Sequence, residues 1–247
     1  MRLLETEFYR YVPGSRFAAD GVLACPGMAI SRVAFTRFRQ WDRGFGDIGA
    51  FLSAEGLTPA ALCGVELRMP AALTFDDFRS LNDKYLTRLD EWGLLRDGRS
   101  TFARTNVCPA GNVVRAPSVA AFSYVHPGDN PVQCFVISGI AELPPGGSFP
   151  ADVTAPGDTS ASGLRAKATT ITSIVSDTIR ALGTKWTPAD TVNLYCAFDS
   201  AHVVLREVLP VHGVVPGNGL VWYDATPPTH GIDMELDVRR YANTRRL

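Results

Sequence analysis

The sequence predicts an α+β protein made of two tandem β-β-α-β-α-β-β units, each with its helices packed on one side of a mixed sheet. An amphipathic helix, a Thr-Pro-Ala step and an apolar strand occur in that order twice. The first run is Trp41, Phe45, Ile48, Phe51 and Leu52, then Thr58-Pro59-Ala60, then Val65 and Leu67. The second is Leu164, Ala168, Ile171, Val175, Ile179 and Leu182, then Thr187-Pro188-Ala189, then Val192, Leu194 and Cys196. The triplets lie half a chain apart, as duplication of one unit requires, and 247 residues at 46% hydrophobic content can fill two ordinary cores.

Residues 1–20 are weakly patterned and are expected as an N-terminal extension. The first unit, 21–124, opens with two short strands split by Pro26-Gly27. Its second helix places Phe75, Phe78, Leu81, Tyr85, Leu89 and Trp92 at steps of three and four, with Thr74 and Asp77 as a capping pair. The second unit, 125–241, opens with a strand through Val132–Gly139, and a Pro/Gly/Ser-rich loop, 144–163, precedes its long helix. A shorter helix surrounds Val203, Val204, Val208 and Leu209, and strands follow near Leu220–Tyr223 and Ile232–Val238. In the last strand Ile232, Met234, Leu236 and Val238 alternate with Asp233, Glu235, Asp237 and Arg239, so one face is apolar and the other polar. Residues 242–247 are expected as a basic tail, with Arg239, Arg240, Arg245 and Arg246 forming a solvated end.

Composition narrows the function. Twenty-four Lys and Arg against 25 Asp and Glu give a formal charge of −1, with no basic stripe of the kind that binds nucleic acid. The N-terminus meets Glu5 and Glu7 before any long apolar run, and no stretch reaches the ~18 apolar residues of a membrane span, so a cytoplasmic protein with no membrane partner is expected. Five cysteines, Cys25, Cys63, Cys108, Cys134 and Cys196, are scattered and read as free thiols. His126, His202, His212 and His230 form no ligand-spaced cluster, so no metal is expected, and no phosphate-binding glycine loop or serine-nucleophile elbow occurs.

Several segments carry a resemblance. Phe75-x-x-Phe78-x-x-x-Asn82-x-x-Tyr85 followed by Ala103-Arg104-Thr105, Phe135-Val136-Ile137-Ser138-Gly139, and Ile232-Asp233-Met234-Glu235 are similar to stretches of the reactive-intermediate deaminase (Rid, YjgF) family, whose members have a chorismate-mutase-like fold. The second half also resembles chorismatases, with Gly157-Asp158 in the place of their Gly-Asp loop. The Rid resemblance implies cofactor-free hydrolysis of a small carboxylate-bearing imine or enamine, and assembly into a homotrimer with pockets between neighbouring units. It implies that Arg104 grips the substrate carboxylate and Glu235 places a water, with Thr105, Ser138, Tyr124 and His230 lining the pocket.

Each residue also has a plainer role open to it. Arg104 at a strand start is suited to a surface ion pair, Glu235 to a solvated strand face, and Ser138 and His230 to turns. If the closing segments are superposed, Pro227-Pro228 stands where a second arginine belongs and Val119-Ala120-Ala121 where a second glutamate belongs, so neither half carries both groups. Either the halves complement one another or the chemistry is lost. The alternatives are chorismatase-like hydrolysis of an enol-ether acid and a non-catalytic ligand-binding or assembly protein.

Overall fold

The computed structural model of the chain describes residues 1–128, 133–187, 189–199, 201–212 and 220–247; Val132 and Pro188 lie outside them. Strands β1 (Leu4–Glu5), β2 (Tyr9–Val12), β3 (Gly21–Ala24) and β4 (Met28–Gln40) lead into helix α1 (Trp41–Ala54), β5 (Leu62–Arg68) and α2 (Phe75–Glu91). A small hairpin, β6 (Leu95–Arg96) and β7 (Arg99–Ser100), precedes β8 (Ala103–Pro109) and β9 (Ser118–Pro127). Then follow β10 (Phe135–Ala141), α3 (Ala161–Ala181), β11 (Thr191–Cys196), a short helical stretch opening with α4 (Ala201–Val203), β12 (Leu220–Tyr223), β13 (Ala225–Thr226), β14 (Met234–Arg240) and β15 (Asn243–Arg246).

The strands form a seven-stranded sheet, β1-β2-β3-β10-β14-β11-β12, and a six-stranded sheet, β13-β8-β5-β9-β4-β15. The runs β4-β9-β5-β8 and β10-β14-β11-β12 agree in order and direction: two antiparallel pairings and then a parallel one.

The helices form where the apolar spacing places them. Thr74 Oγ1 accepts the Asp77 N–H at 3.2 Å and starts α2, and Ser160 does the same for Gly163 at the start of α3. Phe45, Ile48 and Leu52 of α1 and Tyr85, Leu86 and Leu89 of α2 bury against the six-stranded sheet. Leu164, Ala168, Ile171, Val175 and Ile179 of α3 bury against Met234, Leu236 and Val238 of β14 in a second core. Where the first half has α2, the described residues of the second have α4 and two further short turns, with Val203, Val204, Val208 and Leu209 buried.

Both terminal segments differ from expectation. Residues 1–20 include β1 and β2, and Tyr9, Tyr11 and Val12 are buried. β3 and β4, expected as neighbours, join different sheets because β3 pairs with β10. The C-terminal arginines are only in part a solvated end: Arg239 is buried and Arg240 contacts Asp190, whereas Arg245, paired with Glu55 at 3.1 Å, and Arg246 are exposed on β15, which lies parallel to β4. Polar residues at a chain end read as solvated unless their partners, far away in sequence, are known.

The polar face of β14 is buried against the other sheet. Glu235, Asp237 and Arg239 are 5%, 0% and 3% exposed, and Ile232 and Asp233 fall before the strand. Arg239 contacts Glu66 of β5 and donates to Thr105 Oγ1 at 3.0 Å and Asp237 Oδ2 at 2.5 Å. Arg32 holds Glu66 through Nε at 2.6 Å and Nη2 at 3.0 Å. Asp237 also accepts from Asn193 at 2.7 Å, Thr105 at 2.7 Å and Tyr195 at 3.1 Å. The sheets therefore cover one another's polar faces within one chain.

Glu66→Gln should destabilise the protein by about 3–5 kcal/mol in urea unfolding, because Arg239 and Arg32 are left with uncompensated charge. Burial alone raises the Glu66 carboxyl, but Arg239 and Arg32 hold it well below the ordinary carboxylate range. Its stabilisation is therefore present above that range and is lost as pH falls through the lower, folded-state value. The variant should lack that acid-labile component.

Candidate active site

β8 has β5 along one side, but on its other side only Cys108 and Pro109 pair with a strand, β13. Buried edge amides need acceptors. The second half supplies two: the Arg104 N–H donates to Ser138 Oγ at 3.0 Å, and the Asn106 N–H to Glu235 Oε1 at 3.4 Å. Ser138 Oγ itself donates to the Ala19 carbonyl at 2.5 Å. The β10–β14 ladder slips between Ile137 and Ile140, a bulge that falls on Ser138-Gly139. The Glu235 carboxyl lies directly over Gly139, where any Cβ would overlap it. Glycine is required there for close approach.

From β8 the Arg104 side chain reaches α2. Its Nη1 donates to Asn82 Oδ1 at 2.5 Å, and its guanidinium lies over the rings of Tyr85, Phe17 and Phe78, at 5.0, 5.7 and 5.7 Å from their centroids. Phe78, Asn82 and Tyr85 share one helix face through their spacing of four and three. Burial lowers the Arg104 pKa against the opposing pull of Tyr85 and Glu235, yet a guanidinium stays cationic. Among the described residues no carboxylate stands within ion-pair distance of it.

Burial, and then the neighbouring Asp237, push the Glu235 carboxyl up to about 8, against the Asn106 amide, Arg104 and Arg68. Such a group holds its proton at neutral pH and exchanges it near the working range of an acid–base catalyst. Burial, reinforced by Glu235, pushes the Cys108 thiol to about 12, so it stays protonated. A cavity of about 480 Å³ opens against Ser138 and Gly139, bounded also by Ala19, Asp20, Arg99 and Ile140. Burial raises Asp20 to about 6.

The structure thus brings Arg104, Ser138 and Glu235 together at a seam between the two sheets. Thr105 points the other way, into the polar layer on Asp237. Tyr124 is not at the seam: it is buried under α1 against Phe51, with centroids 5.2 Å apart. An aromatic placed by family position alone carries no information on which sheet face it takes. His230 is exposed on a turn whose backbone pairs with Leu73. Asp158 accepts the Ser160 N–H at 2.9 Å beside the α3 cap.

The expected equivalence at Pro227-Pro228 is also corrected by register. With the Thr-Pro-Ala triplets aligned, Val65 corresponds to Leu194; Val65 pairs with Arg104 and Leu194 with Trp222. Trp222 therefore stands in the arginine's place. Glu66 likewise corresponds to Tyr195, and they pair with Ala121 and Glu235, as the superposed segments implied. Sequence reasoning missed Phe17, Asn106 and the role of Gly139. The Ser138-Gly139 step in an apolar strand was a bulge signal for the last.

Among the described residues no group of three His, Cys, Asp or Glu side chains is arranged to hold a metal ion. Nor is any described helix long and apolar enough to cross a membrane.

At this seam of an α+β fold stand the Arg104 guanidinium, with no carboxylate in ion-pair distance among the described residues, and the Glu235 carboxyl, raised to about 8. A family model described as 2-aminomuconate deaminase CnbZ matches residues 2–245, and the chain belongs to that family, a narrower assignment than the Rid resemblance. The 2-amino-5-chloromuconate deaminase of Comamonas testosteroni is 34% identical over 235 residues, 94% of this chain and 92% of that protein. A chorismatase crystal structure matches 97% of this chain and 79% of its own, with a TM-score of 0.54 at 11% identity, which is a likeness of fold alone. RidA from the Antarctic bacterium Psychrobacter sp. matches 44% of this chain and 80% of its own, with a TM-score of 0.34 at 17% identity.

Two substitutions probe the seam. Gly139→Ala should displace the Glu235 carboxyl and remove a titration near pH 8 from carboxyl infrared difference spectra while the circular dichroism spectrum is retained. Glu235→Gln should raise the melting temperature relative to the parent at pH 8–9. The folded-state pKa is above the unfolded one, so the parent's stability falls as pH rises from the ordinary carboxylate range through about 8, and the amide removes that loss.

Proposed function

We propose that the protein hydrolyses 2-aminomuconate, or a close analogue such as its 5-chloro derivative, to the corresponding 2-oxo dicarboxylate and ammonia. The observation that carries this reading is the meeting of Arg104, free of any carboxylate partner, with Glu235, which holds a proton at neutral pH. The substrate class comes from the Comamonas relative and the family description.

Arg104 receives the carboxylate next to the amine-bearing carbon as a bidentate ligand. Glu235 delivers its proton to the enamine carbon, converting C–N to an iminium. A water then attacks the iminium carbon and gives its proton to the Glu235 carboxylate; Glu235 passes that proton to the amine, which leaves as ammonia while the hydroxyl becomes the carbonyl and returns its proton to Glu235. One water enters and one ammonia leaves, so the balance needs no redox partner. Ser138 acts by fixing the Arg104 backbone, because its hydroxyl lies between the Arg104 N–H and the Ala19 carbonyl.

In this reading the chain is a tandem pair of chorismate-mutase-like units that share one site, acting without a cofactor in the cytoplasm. The matching strand order of the two sheets supports the duplication. Assembly into the expected homotrimer belongs to the same proposal, and half-exposed Val221, Trp222 and Tyr223 on edge strand β12 are the apolar surface such a contact would cover.

The test is ammonia release from 2-aminomuconate generated in situ. Arg104→Ala should lower kcat/KM by roughly ten- to a hundredfold through KM, the worth of a charged hydrogen bond, with Arg104→Lys in between. Protonated Glu235 is the active form, so kcat/KM should fall as pH rises through about 8, and Glu235→Gln should abolish turnover. A flat profile from pH 6 to 9.5 would remove Glu235 from the proton step.

A further inference from the structure

We infer that Asn106 receives the substrate's amino group through its side-chain carbonyl, an assignment that rests on the deaminase reading and adds a specificity-determining contact to it. Asn106 is 5% exposed, and its backbone N–H is committed to Glu235 Oε1. Its Oδ1 is buried and has no hydrogen-bond partner among the described residues. Buried acceptors are nearly always satisfied, and one left empty in a resting site calls for a donor from elsewhere.

Position and chemistry identify that donor. Strand alternation puts Asn106 on the same face of β8 as Arg104, two residues and roughly 6.6 Å along. A substrate whose carboxylate lies on Arg104 extends its next carbon, which bears the amine, along the strand toward Asn106 and the Glu235 carboxyl. A carboxylate or a diene carbon offers no N–H to an amide oxygen; an amine does. Once Glu235 has protonated the enamine, the nitrogen becomes an iminium and a stronger donor, so the contact tightens toward the transition state. Asn193 Oδ1 is also buried without a partner, but its amide nitrogen is held on Asp237 inside the polar layer, away from Arg104.

The test compares Asn106→Leu, which keeps the branched shape, with Asn106→Ser, which keeps an acceptor, and with Asn106→Ala in case the larger leucine does not fit. Ammonia release from 2-aminomuconate gives kcat and KM, inhibition by unsubstituted muconate gives binding without an amine, and the melting temperature reports the fold. Leucine or alanine should lower kcat/KM about tenfold, mainly in kcat, leave the muconate inhibition constant within about twofold and not lower the melting temperature, because an unsatisfied acceptor is removed. Serine should restore part of the rate. Unchanged kcat/KM in the leucine and alanine variants, or an equal loss of muconate binding, would overturn the inference while the deaminase reading stands. A parent protein that binds muconate but releases no ammonia from 2-aminomuconate would overturn the deaminase reading, and this inference with it.

Discussion

A buried strand edge has to find acceptors, and at β8 the other half of the chain provides them. The amides of Arg104 and Asn106 leave the sheet at the point where two sheets meet, and water is excluded there. Two side-chain oxygens close the gap, Ser138 Oγ and Glu235 Oε1. Sheet continuity and site geometry are therefore one constraint. Shifting β10 against β14 by one residue would take one of the two acceptors from its amide and also carry Gly139 away from the carboxyl it accommodates. The bulge at Ser138-Gly139 lets one strand offer a hydroxyl to β8 and leave space for a neighbouring strand's carboxyl.

The polar layer behind the seam sets the proton affinity of that carboxyl. Asp237 lies two residues from Glu235 on the same strand face and accepts from Arg239 and from three neutral donors, Thr105, Asn193 and Tyr195. Burial opposes ionisation of Glu235, and the neighbouring Asp237 acts in the same direction. Glu66, equally buried, goes the opposite way because three guanidiniums, those of Arg239, Arg32 and Arg68, face it. The same residue type thus takes two roles in one layer: Glu66 is a structural anion and Glu235 an acid.

Local signals in the sequence were enough for the helices, the strand after each Thr-Pro-Ala step and the Thr74 cap, whereas Arg104 and Glu235 were singled out through the family resemblance. Each of the former rests on periodicity, capping or a short motif, which are written within a few residues. Other features depend on partners far away in sequence. The alternation in β14 says that Glu235, Asp237 and Arg239 share a face but not whether water or a second sheet lies opposite. The strands within 4–12 and at 243–246 are short, and they exist because β3 and β4 offer them edges. The register that puts Trp222 in the place of Arg104 follows from ladder pairing, which superposing loop prolines cannot supply.

Under the proposed duplication, the same register explains why one chain carries one complete site. A second site would need a guanidinium on β12 and a carboxyl on β9, and those positions hold Trp222 and Ala121. Trp222 is 44% exposed, and its ring nitrogen donates to the Cys196 carbonyl at 2.8 Å, so β12 presents an apolar outer edge. Ala121 places no charge on the inner face, where Glu66 already satisfies two arginines. A second buried carboxyl beside Glu66 would have to be protonated or would compete for Arg239, weakening the contact that joins the sheets. Keeping the acid on β14 alone lets β9 serve the fold and leaves the chemistry to the seam where β8 ends its pairing.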